Sequence, residues 1–313
     1  MKHLVIFTVL VCLFGALSHK ASAQTGATWV EVSPSGEHFR ISMPHAPREE
    51  NATTRYGALN VTGKSYVSSD NGASYEVWAL VNKNDQSTRD VDEYLDGCAE
   101  MIWEGLLKPA RDKLPDDRRV RAAMTYIKEL PAKPLPGREY TLTIGDLTGT
   151  TQFYIDEGGI YVLLATNSPG GAWLREKFFE SFTISNPPIP KTLDAKPIIV
   201  VPPVINRAIN TDATDYNRVF NGRDVTQKAR VLSKPEPTYT ESARKFGVQG
   251  TVVLRVVFSK DGEVTNIYVS RKLPHGLTQQ SIKAARGIKF SPALKDDHPV
   301  SMYMQLEYNF NLY

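Results

Sequence analysis

Near the end of the chain, Val300, Met302, Met304, Leu306, Tyr308 and Phe310 alternate without a break with Ser301, Tyr303, Gln305, Glu307 and Asn309. A two-residue apolar repeat puts every apolar side chain on one side of an extended backbone, so this stretch predicts a strand with one face buried. Upstream, Val252, Leu254, Val256 and Phe258 share one face of another strand. Asp261-Gly262 predicts a tight hairpin into a third strand over 263–270, with Lys260 and Glu263 pairing across the turn. Two short helices fit around these. One covers 239–246, after Pro235 and Pro237 and closed by Gly247; the other covers 277–287, after Gly276, with Ile282, Ala285 and Ile288 on one side. The predicted order is helix, hairpin, helix, strand.

The pattern before this module is more mixed. Trp29-Val30-Glu31-Val32 and Phe39-Arg40-Ile41-Ser42-Met43-Pro44 read as strands, and further strand-like runs cover 65–67, 75–81, 140–144, 152–155 and 161–165. One helix is clear: Val91, Tyr94, Leu95, Cys98, Ile102 and Leu106 recur at helical spacing, with Ser87 or Thr88 as the cap and Asp92 and Glu93 in the first turn. A second helix covers 172–180, ahead of a strand over 181–185. Strands and helices mixed in this order predict an α+β fold, with an N-terminal α/β sandwich-like domain over 24–185 and a small C-terminal domain over 234–313.

Between them, Pro187, Pro188, Pro190, Pro197, Pro202 and Pro203 crowd the first half of 186–233, which reads as a Pro-rich linker. Extended polyproline-like backbone at about 3.1 Å per residue would carry its first part on the order of 65 Å. Ile198-Ile199-Val200-Val201 is too apolar for a plain solvated tether and suits packing on a domain or pairing as a strand.

The chain opens with Lys2 and an apolar run over 4–17, and then Ala21-Ser22-Ala23 gives the small-x-small pattern that a signal peptidase accepts. This predicts a signal peptide over 1–23 and an exported, periplasmic or secreted protein. The rival reading is a retained inner-membrane anchor, but fourteen residues rise only about 21 Å as a helix against a hydrocarbon core of ~30 Å. Cys12 leaves with the signal, so Cys98 has no cysteine to pair with in the same chain. Losing Lys2 and Lys20 takes the formal charge from +3 to +1, which gives no argument for nucleic acid as a partner.

Enzymatic chemistry finds little support. His38, His45, His275 and His298 are not at metal-ligand spacing with one another and read as surface histidines. Cys98 lies on the apolar face of its helix and reads as a packed thiol. No phosphate loop or nucleophile elbow is present, and no cofactor or metal is expected. The basic cluster Lys108, Arg111, Lys113, Arg118, Arg119 and Arg121 is broken by Asp112, Asp116 and Asp117 and reads as a solvated helix end and loop.

The C-terminal residues also carry a resemblance. Lys234-Pro235-Glu236-Pro237-x-Tyr239-Thr240-Glu241-x-Ala243-Arg244, Gly247-Val248-Gln249-Gly250-Thr251-Val252, Asp261-Gly262, Gly276-Leu277, Ala284-Ala285, Phe290-x-Pro292-Ala293 and Pro299-Val300 together resemble TonB C-terminal domains. The sequence departs from that pattern at Thr240, where proline is usual, at Ile288-Lys289, where a tryptophan is usual, and at Asp297, where glycine is common. The resemblance implies docking by strand addition, in which an extended segment of an outer-membrane transporter joins the edge of the last strand. It makes Val300, Ser301, Tyr303, Gln305, Glu307 and Asn309 the partner-binding residues. Two alternatives differ in class: a complete energy transducer anchored by residues 4–17, and a ligand-binding or enzymatic first domain that carries the module for targeting. In the first domain, the 39–44 opening, the long helix and the closing Phe178-Phe179-Glu180-Ser181-Phe182 resemble small PsbP-type domains, which implies a non-catalytic binding module.

The mature protein is expected to begin at Gln24. N-terminal sequencing of the native protein checks this, and an intact 1–20 segment in the membrane fraction would favour the transducer instead.

Overall fold

The computed structural model describes residues 28–56, 59–82, 90–108, 112, 122–132, 135–156, 159–167, 174–184 and 215–312. They fall into two compact units, divided between Asp194 and Ala195. The apolar N-terminal segment, Ile198-Ile199-Val200-Val201 and the cluster residues Arg111, Lys113, Arg118, Arg119 and Arg121 lie outside the described residues.

The first unit contains β1 (Val30–Val32), β2 (Phe39–Met43), β3 (Arg48–Tyr56), β4 (Leu59–Asp70), β5 (Ala73–Asn82), α1 (Val91–Ile102), β6 (Ala123–Leu130), β7 (Gly137–Ile144), β8 (Leu147–Ile155), β9 (Gly159–Asn167), α2 (Arg175–Glu180) and β10 (Thr183–Ile184). Seven of the strands form one antiparallel sheet in the order β3-β4-β5-β9-β8-β7-β6. β5 and β9 are buried along both faces, which is why their sequences run apolar with little alternation. On one face, Tyr75, Val77 and Ala79 of β5 and Leu163 and Ala165 of β9 pack against Phe39, Ile41 and Met43 of β2 and Phe178 of α2. β2 is the middle of a three-stranded sheet with β1 and β10.

α1 covers the other face, where the Asn82 amide donates to the Tyr94 hydroxyl at 3.2 Å. The cap of α1 is Asp90, whose carboxylate accepts the N–H groups of Asp92 and Glu93, rather than Ser87 or Thr88. A π-helical turn over Trp103–Leu107 continues α1. Beyond it, the Lys108 ammonium pairs with Glu104 at 2.7 Å.

Two ionisable groups are enclosed in this unit, and neither has a signal in the sequence. The Arg138 side chain on β7 is fully buried. Its guanidinium bonds Asp92 at 2.7 Å, Glu129 at 2.7 Å and Asp96, three carboxylates that each remain partly exposed. Burial works against the charged guanidinium, and Asp96 leads the groups that more than restore it, so its pKa lies above the ordinary arginine value. Glu76 on β5 faces the α1 side, alternating with Tyr75 and Val77. One of its oxygens accepts from the Trp78 indole N–H at 3.1 Å, and the other has no hydrogen-bond partner. Burial pushes its carboxyl up to about 7.

The second unit contains β11 (Val219–Phe220), β12 (Arg230–Ser233), α3 (Glu241–Lys245), β13 (Gly250–Phe258), β14 (Val264–Arg271), α4 (Leu277–Arg286), β15 (Lys289–Ser291), β16 (Ala293–Lys295) and β17 (His298–Phe310). β17 pairs antiparallel with β13 from Gly250↔Phe310 to Phe258↔Met302, and β14 lies beyond β13. The alternation read from the sequence holds. Val300, Met302, Leu306, Tyr308 and Phe310 are buried and Met304 half-buried, whereas Tyr303, Gln305, Glu307 and Asn309 are exposed. Thr240, at a position where the TonB pattern has proline, caps α3 by accepting the Ala243 N–H at 3.1 Å and donates to the His275 carbonyl at 2.6 Å. Gly247 closes α3 at φ +59, as a left-handed residue after a helix should.

Four details differ from the sequence reading. Residues 215–233, read as the end of the linker, are folded into this unit because they bring Phe220 to the core and supply β11 and β12. The hairpin between β13 and β14 is longer than a tight turn: 259–263 form the loop, with Gly262 at φ +85 and the Ser259 N–H bonded to the Glu263 carbonyl. Lys260 donates to Asn217 at 2.8 Å instead of pairing with Glu263. His275 is a core residue rather than a surface one, stacked on Phe246 at 4.5 Å and bonded to Ser242 through Nδ1 at 2.9 Å.

Two outcomes follow from these placements. Folded Glu76 holds its proton to about pH 7, whereas the unfolded chain releases it from about 4.5. Stability is therefore lost as pH rises through that window, by on the order of 3 kcal/mol. Glu76→Gln stays neutral, so it should melt higher than wild type at pH 8 and close to it at pH 5. A melting difference that is the same at both pH values would refute this. In the second unit, Leu306→Ala should cost roughly 2–5 kcal/mol, while Tyr303→Ala, at a side chain 41% exposed, should leave the melt nearly unchanged.

Candidate functional site

The feature of the second unit that invites a ligand is the edge of β17 away from β13. β11 occupies that edge at its start, running parallel to it with Val219 opposite Ser301 and Phe220 opposite Met302. Among the described residues, no strand pairs with 303–310 on that side. Backbone N–H and C=O groups there face outward without a ladder partner, which is the ordinary template for an added strand.

One side chain shows which residues point that way. The exposed Lys234 ammonium donates to the Glu307 carbonyl at 2.7 Å and lies 4.5 Å from the centre of the Tyr308 ring. A solvated ammonium reaches a strand carbonyl that points off the sheet, not one enclosed between two paired strands. N–H and C=O of one residue point to the same side of an antiparallel strand, and the pattern repeats every second residue. Tyr303, Gln305, Glu307 and Asn309 therefore present their main-chain groups to the open edge. Met304, Leu306 and Tyr308 present theirs to β13.

The sequence-derived site residues divide accordingly. Tyr303, Gln305, Glu307 and Asn309 lie together along the open stretch with exposed side chains. The Gln305 amide donates to the Glu307 carboxylate at 3.0 Å, and the Thr251 hydroxyl donates to the Asn309 side chain at 2.7 Å. Val300 and Ser301 are not part of it. Val300 is fully buried opposite Ala293 in the β16–β17 hairpin, and Ser301 is opposite Val219. That hairpin turns on Asp296 and Asp297, both left-handed at φ +50 and +64, which fits the glycine usual at the second position.

Two contributors escaped the sequence reading. Lys234 was visible as part of a motif, but only the folded chain brings it to Glu307, 73 positions away. On the exposed face, Arg255 sits opposite Gln305 on one side and Tyr268 on the other, so Tyr268 joins Tyr303 as an exposed aromatic on this surface.

Catalytic chemistry has few candidates. Among the described residues, no three His, Cys, Asp or Glu side chains cluster to hold a metal ion. Cys98 is fully buried and burial pushes its thiol up to about 12, which suits a packing role. Among the described residues, no helix is long and apolar enough to cross a membrane.

Comparison with known proteins bears on the same residues. The family model of the Gram-negative bacterial TonB protein C-terminal matches 235–312. Protein TonB of Vibrio cholerae is 29% identical over 89 residues, a match that covers 28% of this chain and 36% of that protein. The chain thus spans about a third of the length of that relative. The solution structure of cyanobacterial PsbP from Synechocystis sp. PCC 6803 aligns over 54% of this chain and 99% of its own, at 9% identity and a TM-score of 0.34. For the C-terminal unit, the family match, the sequence of elements and the motif residues agree: residues 235–312 are a TonB C-terminal domain.

Proposed function

We propose that this domain docks an extended segment of a bacterial envelope protein, such as an outer-membrane transporter, by adding it as a strand to the outer edge of β17. The observation that carries the reading is the edge itself. It already accepts a strand from the chain's own residues at 301–302, and from Tyr303 onward the main-chain groups of every second residue (Tyr303, Gln305, Glu307 and Asn309) face away from the sheet. Main-chain bonds would supply much of the affinity, while Tyr303, Gln305, Glu307 and Asn309 would select among segments. The protein acts in this reading as a periplasmic adaptor, with 1–23 removed.

The register of β17 makes the test directional. Gln305→Pro removes an N–H that faces the open edge, so it should weaken binding of an extended transporter peptide by about tenfold or more while leaving the melt within a few degrees of wild type. Leu306→Pro removes an N–H that faces β13 and should unfold the domain. Peptide titration and thermal melts on the two variants check this. Undiminished binding by a folded Gln305→Pro protein would rule out strand addition at this edge.

A further inference from the structure

The segment that precedes the matched TonB region is built onto the docking edge. Phe220 is fully buried among Ala293, Val300 and Met302, with Tyr216, Val225, Ala229 and Met304 packed around them. The Arg218 guanidinium lies 4.2 Å from the centre of the Phe220 ring, and Tyr216 stacks on His298 at 4.4 Å. Further along, the N–H groups of Thr226 and Gln227 bond the Leu294 carbonyl at 2.8 and 3.0 Å, and the Leu294 N–H bonds the Gln227 carbonyl at 2.8 Å. Lys260 ties Asn217 to the β13–β14 loop. Residues 215–229 therefore form an arm held at both ends and in the middle, wrapped around the β16–β17 hairpin.

This arm takes the main-chain positions that a strand extending past Tyr303 would need. A two-residue parallel strand supplies few bonds by itself; the buried Phe220 ring is what fixes it in place. We infer that the arm is a stop on the docking edge: it makes Tyr303 the first residue an incoming strand can pair with, and so sets the length and register of the segment accepted. Phe220 is then a specificity-determining residue that touches no partner. The inference rests on the docking reading, and the experiment separates the two.

Two synthetic peptides of alternating threonine and valine with terminal lysines, of about eight and about ten residues (roughly 26 and 33 Å when extended), serve as probes, the shorter one matching the open stretch 303–310. They are titrated by fluorescence anisotropy against the full mature chain, against Phe220→Ala and against Tyr216→Ala. The wild-type chain should bind both peptides alike, because the longer one gains nothing beyond Tyr303. Phe220→Ala should bind the longer peptide about tenfold more tightly than wild type does, the yield of two or so added main-chain bonds, with the shorter peptide unchanged. Tyr216→Ala loosens the arm at a half-exposed contact and leaves the core intact, so it should shift the length preference in the same direction even if Phe220→Ala folds poorly. A wild-type chain that already favours the longer peptide, or folded variants that show no change in length preference, would overturn the stop and leave strand addition standing. No binding of either peptide to any of the three proteins would overturn strand addition and the stop together.

Discussion

The antiparallel pairing of β17 with β13 is the constraint on which the second unit depends. Nine consecutive pairs, from Gly250↔Phe310 to Phe258↔Met302, fix the register. A shift of one residue would turn Leu306 and Tyr308 to solvent and Glu307 to the core. Once that register is set, everything else about the edge is decided. The apolar side chains face the helices, the polar ones face solvent, and the main-chain groups of the polar positions face away from β13. A chain that spends one face and one edge of its longest strand on its own core leaves the other edge open. That open edge is a hazard of self-association in most proteins and an opportunity in one that must bind extended chains.

How much of this was legible in the sequence depended on where each residue gets its constraint. β17 and α1 were readable because burial on one face imposes a period on their apolar residues. β3 and β6 were not, because they close the two ends of the seven-stranded sheet. Edge strands can afford Arg48-Glu49-Glu50-Asn51 or Lys128-Glu129, so they carry no apolar rhythm. Residues 215–233 look like linker in the sequence because proline crowding just upstream masks a short segment whose anchor is a single phenylalanine. The cap of α1 is ambiguous in the sequence because Ser87, Thr88 and Asp90 are all competent cap residues, and only geometry picks Asp90.

The candidate site shows the same division. Tyr303, Gln305, Glu307 and Asn309 followed from alternation plus a family resemblance. Excluding Val300 and Ser301 needed β16 and β11, which the sequence did not announce. Lys234 and Glu307 meet through tertiary folding alone, and no local pattern marks a lysine whose partner is a backbone carbonyl far along the chain. His275 is the opposite case: nothing about its spacing distinguishes a stacked, hydrogen-bonded core histidine from an exposed one.

Arg138 has a consequence for how the first unit comes apart. Its guanidinium is the common partner of Asp92 and Asp96 on α1 and of Glu129 on β6, so one side chain binds a helix to an edge strand. Lifting α1 off the sheet would leave that cation with a single carboxylate in a site shaped to exclude water, and peeling β6 away would remove the third. Neither element can open without the cost being charged to the other. Local fraying at the helix and at the sheet margin should therefore merge into one opening event, with amide protons in α1 and in the β6–β7 pair exchanging together rather than in sequence.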